Sequence, residues 1–153
     1  ELYTTGKFGE QGHQMSDTTK LLDEQPEYSV FNGAVGALTA QKPLKANTGE
    51  TVRIFFGVGG PNFTSSFHVI GEIFDRVFDQ ASLTSAPHTD VQTTLVPPGG
   101  ATMVEFSLEV PGNYILVDHA LARLQRGLAG YLVVEGPAAP EIFNGTPSAG
   151  SGH

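Results

Sequence analysis

The chain has 153 residues, 39% of them hydrophobic, enough for one ordinary domain with a packed core. Eight Lys and Arg against sixteen Asp and Glu leave a formal net charge of −8, which excludes a basic stripe for a nucleic-acid backbone. No segment approaches the roughly 20 apolar residues of a membrane helix, and the lack of cysteine removes disulfides, thiolate metal sites and cysteine nucleophiles while leaving the compartment open.

Residues 1–27 are polar and turn-rich and read as a connecting arm. Their opening "ELYTTGKFGE" has neither the basic start nor the apolar run of a signal peptide. Within the arm a short helix is expected from Ser16 to Asp23, with Ser16 or Asp17 as cap and "KLL" packing. From Tyr28 to Gly136 the pattern changes to β-branched and aromatic runs set off by Gly, Pro, Asn and Asp: "YSVFNG", "LKANTGETVRIFFGVGG", "SFHVIG", "FDRVFD", "VQTTLVPPGG", "ATMVEFSLEVPGNYILVDHA" and "GLAGYLVVEG". Runs at this spacing predict an all-β sandwich or barrel. Alternation puts Val52, Ile54 and Phe56 on one side of their strand. It likewise puts Val104, Phe106 and Leu108 opposite Glu105 and Glu109, so that face is expected to be wet.

"VPPGG" at 96–100 and "VPGN" at 110–113 supply the φ values of tight reversals, which predicts antiparallel neighbours on either side of each. "DHALARLQRG" predicts one short helix near 119–126, capped by Asp118 and ended by Gly127. "GVGG" precedes no helix and supports no phosphate loop. The tail, 137–153, is rich in Pro, Ala, Gly and Ser and reads as a flexible end or linker. "NFT" at 62–64 and "NGT" at 144–146 are bare glycosylation acceptor patterns.

The five histidines separate by context. His13 and His153 lie in arm and tail and read as solvated surface residues, and His88 in "TSAPHTD" reads as a loop residue. His68 and His119 instead interrupt or end apolar strands, in "SSFHVIG" and "NYILVDHALA". A buried imidazole needs hydrogen-bond partners, so each is either a satisfied core residue or a functional one.

The segments "YSVFNGAVGAL", "VGGPNFTSSFHVIGEIFDRV", "VQTTLVPPGGATMVEF" and "PGNYILVDHALARLQRGLAG" together resemble the second cupredoxin domain of copper-containing, nitric-oxide-forming nitrite reductases. The resemblance covers roughly residues 1–143 and includes the opening arm. It implies a cupredoxin-like Greek-key β-sandwich over 28–136, in agreement with the strand pattern. It also implies a periplasmic enzyme, a homotrimer whose type 2 copper lies at a subunit interface, and nitrite as substrate.

Carried over by residue, His119 matches the ligand that the second domain gives to the type 2 copper. His68 matches the active-site histidine that helps deliver protons without binding metal. Gln92 and Thr93 match the polar pair beside it, where many relatives carry Glu-Thr, and Ile70 and Leu121 match apolar walls of the substrate site. Imidazole suits both tasks, being a good copper ligand and the side chain whose ordinary titration lies nearest neutrality.

The same resemblance implies that the type 1 copper and most type 2 ligands belong to a first cupredoxin domain that this chain lacks. Without cysteine no type 1 site forms here. The isolated chain is therefore expected to hold half an active site and to be inactive. The alternative is a non-catalytic cupredoxin-like module for assembly or docking of an electron partner. A multicopper oxidase domain is a third reading, set lower because paired His-x-His motifs are absent.

Overall fold

Alternation in the longest apolar runs sets the layering, because every second side chain must leave water on the same side. The computed structural model describes residues 1–40 and 42–145. Its strands are β1 (Leu44–Asn47), β2 (Thr51–Gly57), β3 (Ser65–Ile70), β4 (Phe74–Phe78), β5 (His88–Val91), β6 (Thr94–Val96), β7 (Ala101–Ser107), β8 (Gly112–Asp118) and β9 (Ala129–Glu135). One sheet has the order β1-β9-β8-β3-β6 and the other β2-β7-β4-β5, so the fold is the expected all-β sandwich. β1 joins β9 in parallel, and the other strand pairs are antiparallel.

Val52, Ile54 and Phe56 face inward as read, and they pack on Phe67, Val69, Phe74, Val104, Phe106 and Leu108. An aromatic column ties the sheets together: Phe56 stacks on Phe67 with centroids 4.1 Å apart, and Phe67 on Phe74 at 5.7 Å. Each such buried ring contributes about 1.5–3 kcal/mol from area removed from water.

Several local expectations are corrected. The turns at 96–100 and 110–113 do not join antiparallel neighbours. β6 pairs with β3, β7 with β2 and β4, and β8 with β3 and β9, so both turns carry the chain from one sheet to the other. Among the described residues only β4–β5 and β8–β9 are successive hydrogen-bonded strands. "YSVFNG" forms no strand; its Ser29 instead donates its N–H to the Arg126 carbonyl at 3.1 Å.

Glu105 is not wet but 6% exposed. The register sets it between Arg53 and Arg76, whose guanidinium groups roof its carboxylate at 2.8 and 3.5 Å. His88 opens β5 opposite Val77 and is exposed, rather than lying in a loop.

The helix expected near 119–126 is a 3-10 helix, Leu121–Arg126. Asp118 does not cap it: Asp118 is the last residue of β8, and the residue preceding the helix, Ala120, has no side-chain cap bond. Gly127 ends it as read, in the left-handed region at φ 100°, where an added Cβ would also meet Val35 at 2.6 Å.

The arm helix, α1, spans Thr18–Leu22, and Asp17 caps it by accepting the Lys20 N–H at 3.0 Å. "KLL" does not pack as expected, since Leu22 is 75% exposed. Lys20 holds this turn instead, donating to the Thr4 carbonyl at 2.7 Å and to Glu27 at 2.8 Å. The arm lies on the sandwich through Glu1, which accepts the N–H groups of Asn62 and Phe63 at 3.0 and 2.7 Å, and through buried Tyr3. Burial and a hydrogen bond to Glu1 push the Tyr3 phenol up to about 12. Asn62 of "NFT" donates its amide to Tyr3 and to the Leu21 carbonyl, so that group is already engaged.

Beyond β9, the amides of Ile142 and Phe143 donate to the Ala139 carbonyl while both side chains are exposed. The rest of the tail read as a linker, 146–153, with His153 and Thr146 of "NGT", lies outside the described residues.

Candidate functional site

The two histidines singled out by context are brought together by register. On β3, Phe67 and Val69 turn into the core, which leaves Ser66, His68 and Ile70 on the outer face of the sheet. β8 runs antiparallel beside it, with His68 opposite Val117 and Phe67 opposite Asp118. The next step along β8 sets His119 across from Ser66, whose carbonyl accepts the His119 N–H at 2.8 Å. His68 and His119 are thus diagonal neighbours on one face, the arrangement in which large side chains still touch. Their ring centroids lie 5.6 Å apart at 51°.

The two rings have different surroundings. His68 is 4% exposed, and its Nδ1 lies 2.6 Å from the Gln92 carbonyl oxygen. A carbonyl only accepts, so Nδ1 carries the hydrogen and donates it. That fixes the ring and leaves Nε2 as the end that gains or gives a proton. His119 is exposed. The bond to His68 is made by the main chain of Gln92, whose side chain is exposed. Among the described residues no hydrogen bond joins the Thr93 hydroxyl to the ring.

Ile70 follows His68 on the same face, 39% exposed, and Leu121, 47% exposed, opens the 3-10 helix just after His119. Both flank the pair along the chain. His13 and His88, exposed elsewhere, are not part of it.

Sequence reasoning missed the ion pair behind the site. Asp118 is 2% exposed and binds the Arg123 guanidinium. Its Oδ1 accepts the N–H of Ala120 at 2.9 Å and that of Ser66 at 3.3 Å. Arg123 also donates to the Thr64 carbonyl at 2.9 Å and lies 4.9 Å over the Phe63 ring. Asp118, Arg123, Ser65 and Ser29 line a cavity of about 90 Å³ behind the strand ends. A signal was present: a carboxylate ending the apolar run "YILVD" is buried with its strand and needs a cation, which Arg123 supplies one helical turn later.

Chemically, the pair offers one exposed imidazole open to a metal and one buried imidazole with a directed proton-carrying edge. Among the described residues no group of three or more His, Asp or Glu converges to hold a metal. One exposed imidazole can serve as a single ligand but cannot by itself complete a metal site.

Residues 10–137 match the profile of the multicopper oxidase family. The copper-containing nitrite reductase of Neisseria meningitidis serogroup A is 50% identical over 99% of this chain and 40% of its own length. Among solved structures, a copper nitrite reductase from Nitrosomonas europaea superposes with a TM-score of 0.75 at 30% identity, over 82% of this chain and 46% of that one. A copper-containing nitrite reductase from Thermus scotoductus gives 0.72 at 30% identity, over 76% and 27%. The chain spans less than half the length of each of these relatives.

Proposed function

Because this chain belongs to the multicopper oxidase family, and is similar to copper-containing nitrite reductases at up to 50% identity, we propose that it is the second cupredoxin domain of such an enzyme. In this reading it gives His119 to a type 2 copper and His68 to proton delivery. The observation that carries the reading is the juxtaposition of one exposed and one buried, carbonyl-anchored imidazole 5.6 Å apart. Within that family, the chain has no His-x-His pair and so does not itself carry the paired-histidine ligand motifs of a multicopper oxidase copper cluster.

Reduction of nitrite to nitric oxide and water consumes one electron and two protons. The copper, when bound, supplies the electron and an open coordination position. The residues of this chain do the rest of what is assigned here. His119 presents its ring to the metal from a backbone fixed to Ser66. His68, with its Nδ1–H donated to the Gln92 carbonyl, keeps Nε2 as the edge that hands over a proton. Ile70 and Leu121 exclude water and restrict how nitrite lies. A first cupredoxin domain supplies the type 1 copper and the remaining type 2 ligands, in a periplasmic homotrimer. No helix among the described residues is long and apolar enough to cross a membrane.

The test is a pair of substitutions in the complete protein. His119→Ala is expected to lose the type 2 copper. His68→Ala is expected to keep it while turnover falls by roughly 10²–10⁴-fold, the usual worth of a positioned proton donor. Copper loss in His68→Ala with retention in His119→Ala would reverse the two roles. Unchanged copper and turnover in both variants would favour a non-catalytic docking module.

A further inference from the structure

We propose that Asp118 and Arg123 are positioning residues for His119, an inference that rests on reading His119 as a copper ligand. Among the described residues the His119 ring makes no hydrogen bond of its own, so its direction is set by its backbone. The His119 N–H is held by the Ser66 carbonyl, and Asp118 braces the residues on both sides of that bond. The carboxylate accepts the N–H of Ala120, the next residue, and the N–H of Ser66, the residue whose carbonyl holds the His119 N–H.

Arg123 locks this frame from the other side. It binds the second carboxylate oxygen of Asp118 while donating to the Thr64 carbonyl, one residue before β3. One ion pair therefore clamps the end of β8, the start of β3 and the 3-10 helix around a ligand that itself stands in solvent. A fold that needed only to end a strand would not require it, because desolvating two charges is costly and an apolar pair fills the same space. What the charged pair adds is direction, since the guanidinium fork serves two acceptors in fixed geometry.

The complete copper-loaded protein that contains this domain is the material for the test. Arg123→Gln is expected to fold, to retain copper 10–100-fold less tightly in competition with a chelator, and to show an altered type 2 copper resonance spectrum; that is the usual scale for loss of a group that orients a metal ligand. If Arg123→Gln does not fold, the double variant D118N/R123Q, which leaves no unpaired buried charge, is read in the same way. A folded variant with unchanged copper affinity and spectrum overturns the proposal. His119→Ala separates the two possible failures. Copper lost in His119→Ala but unmoved by the Arg123 and Asp118 variants refutes the positioning role alone, whereas copper kept in His119→Ala refutes the reading beneath it.

Discussion

His68 and His119 stand 5.6 Å apart because the antiparallel register that pairs His68 with Val117 sets His119 across from Ser66. A shift of one residue would send one of the rings to the opposite face of the sheet. The pairing of β3 with β8 is thus what makes a site of two residues far apart in the chain.

The bond to His68 Nδ1 comes from the Gln92 carbonyl, which any residue at that position provides. Gln92→Ala is expected to change stability by less than about 0.5 kcal/mol, as for an exposed side chain, and to leave the His68 tautomer as it is. Nitrogen chemical shifts of the imidazole report it. A changed tautomer would show that the amide side chain, not the main chain, holds the ring.

Ile70 is 39% exposed in this chain, so shortening it removes little buried area. Ile70→Ala is expected to cost about 1 kcal/mol, below the 2–5 kcal/mol of a fully buried site, while changing the KM for nitrite and the geometry of bound nitrite in the complete protein. Unaltered kinetics and unaltered ligand geometry would remove Ile70 from the substrate wall.

The outer face of the β3–β8 sheet carries Ile70, Leu95 and Tyr131, each more than a third exposed, with Leu121 close by in sequence to His119. Exposed apolar side chains on the face that carries the histidine pair suit a contact between copies of the chain. The chain alone is expected to sediment as a trimer and to show no nitrite turnover with an artificial electron donor. A strict monomer defeats the assembly part, and copper-dependent turnover by this chain alone defeats the half-site part.

Burial raises the carboxyl of Glu72 above the ordinary range, with the charges of Asp75 and Glu109 adding to the effect and the Ile73 N–H opposing it. A carboxyl raised in the folded state binds its proton more tightly there than in the unfolded chain. Its contribution to stability is therefore present at acid pH and lost as pH rises through the folded value. Glu72→Gln is expected to stabilise the domain near neutrality by up to about 0.5 kcal/mol, with little effect at pH 4. A lower melting temperature at pH 7 than the parent domain would contradict this.

Legible in the amino-acid sequence were the fold class, the inward faces of β2 and β7, a capped helix in the arm with Ser16 or Asp17 as its cap, of which the structure uses Asp17, and the two histidines worth attention. These are legible because alternation, turn chemistry and capping act over a few residues, and because an imidazole in an apolar run is conspicuous. Where the strands went after the turns at 96–100 and 110–113 was settled by long-range packing alone. Proline and glycine dictate that the chain reverses, but which sheet receives the next strand depends on contacts with residues far along the chain. For the same reason Glu105 read as wet until β2 and β4 brought Arg53 and Arg76 over it, and Asp118 read as a cap until Arg123 and Ser66 enclosed it. A charge is buried or solvated by its neighbours in space, and those neighbours are fixed only when the sheets close.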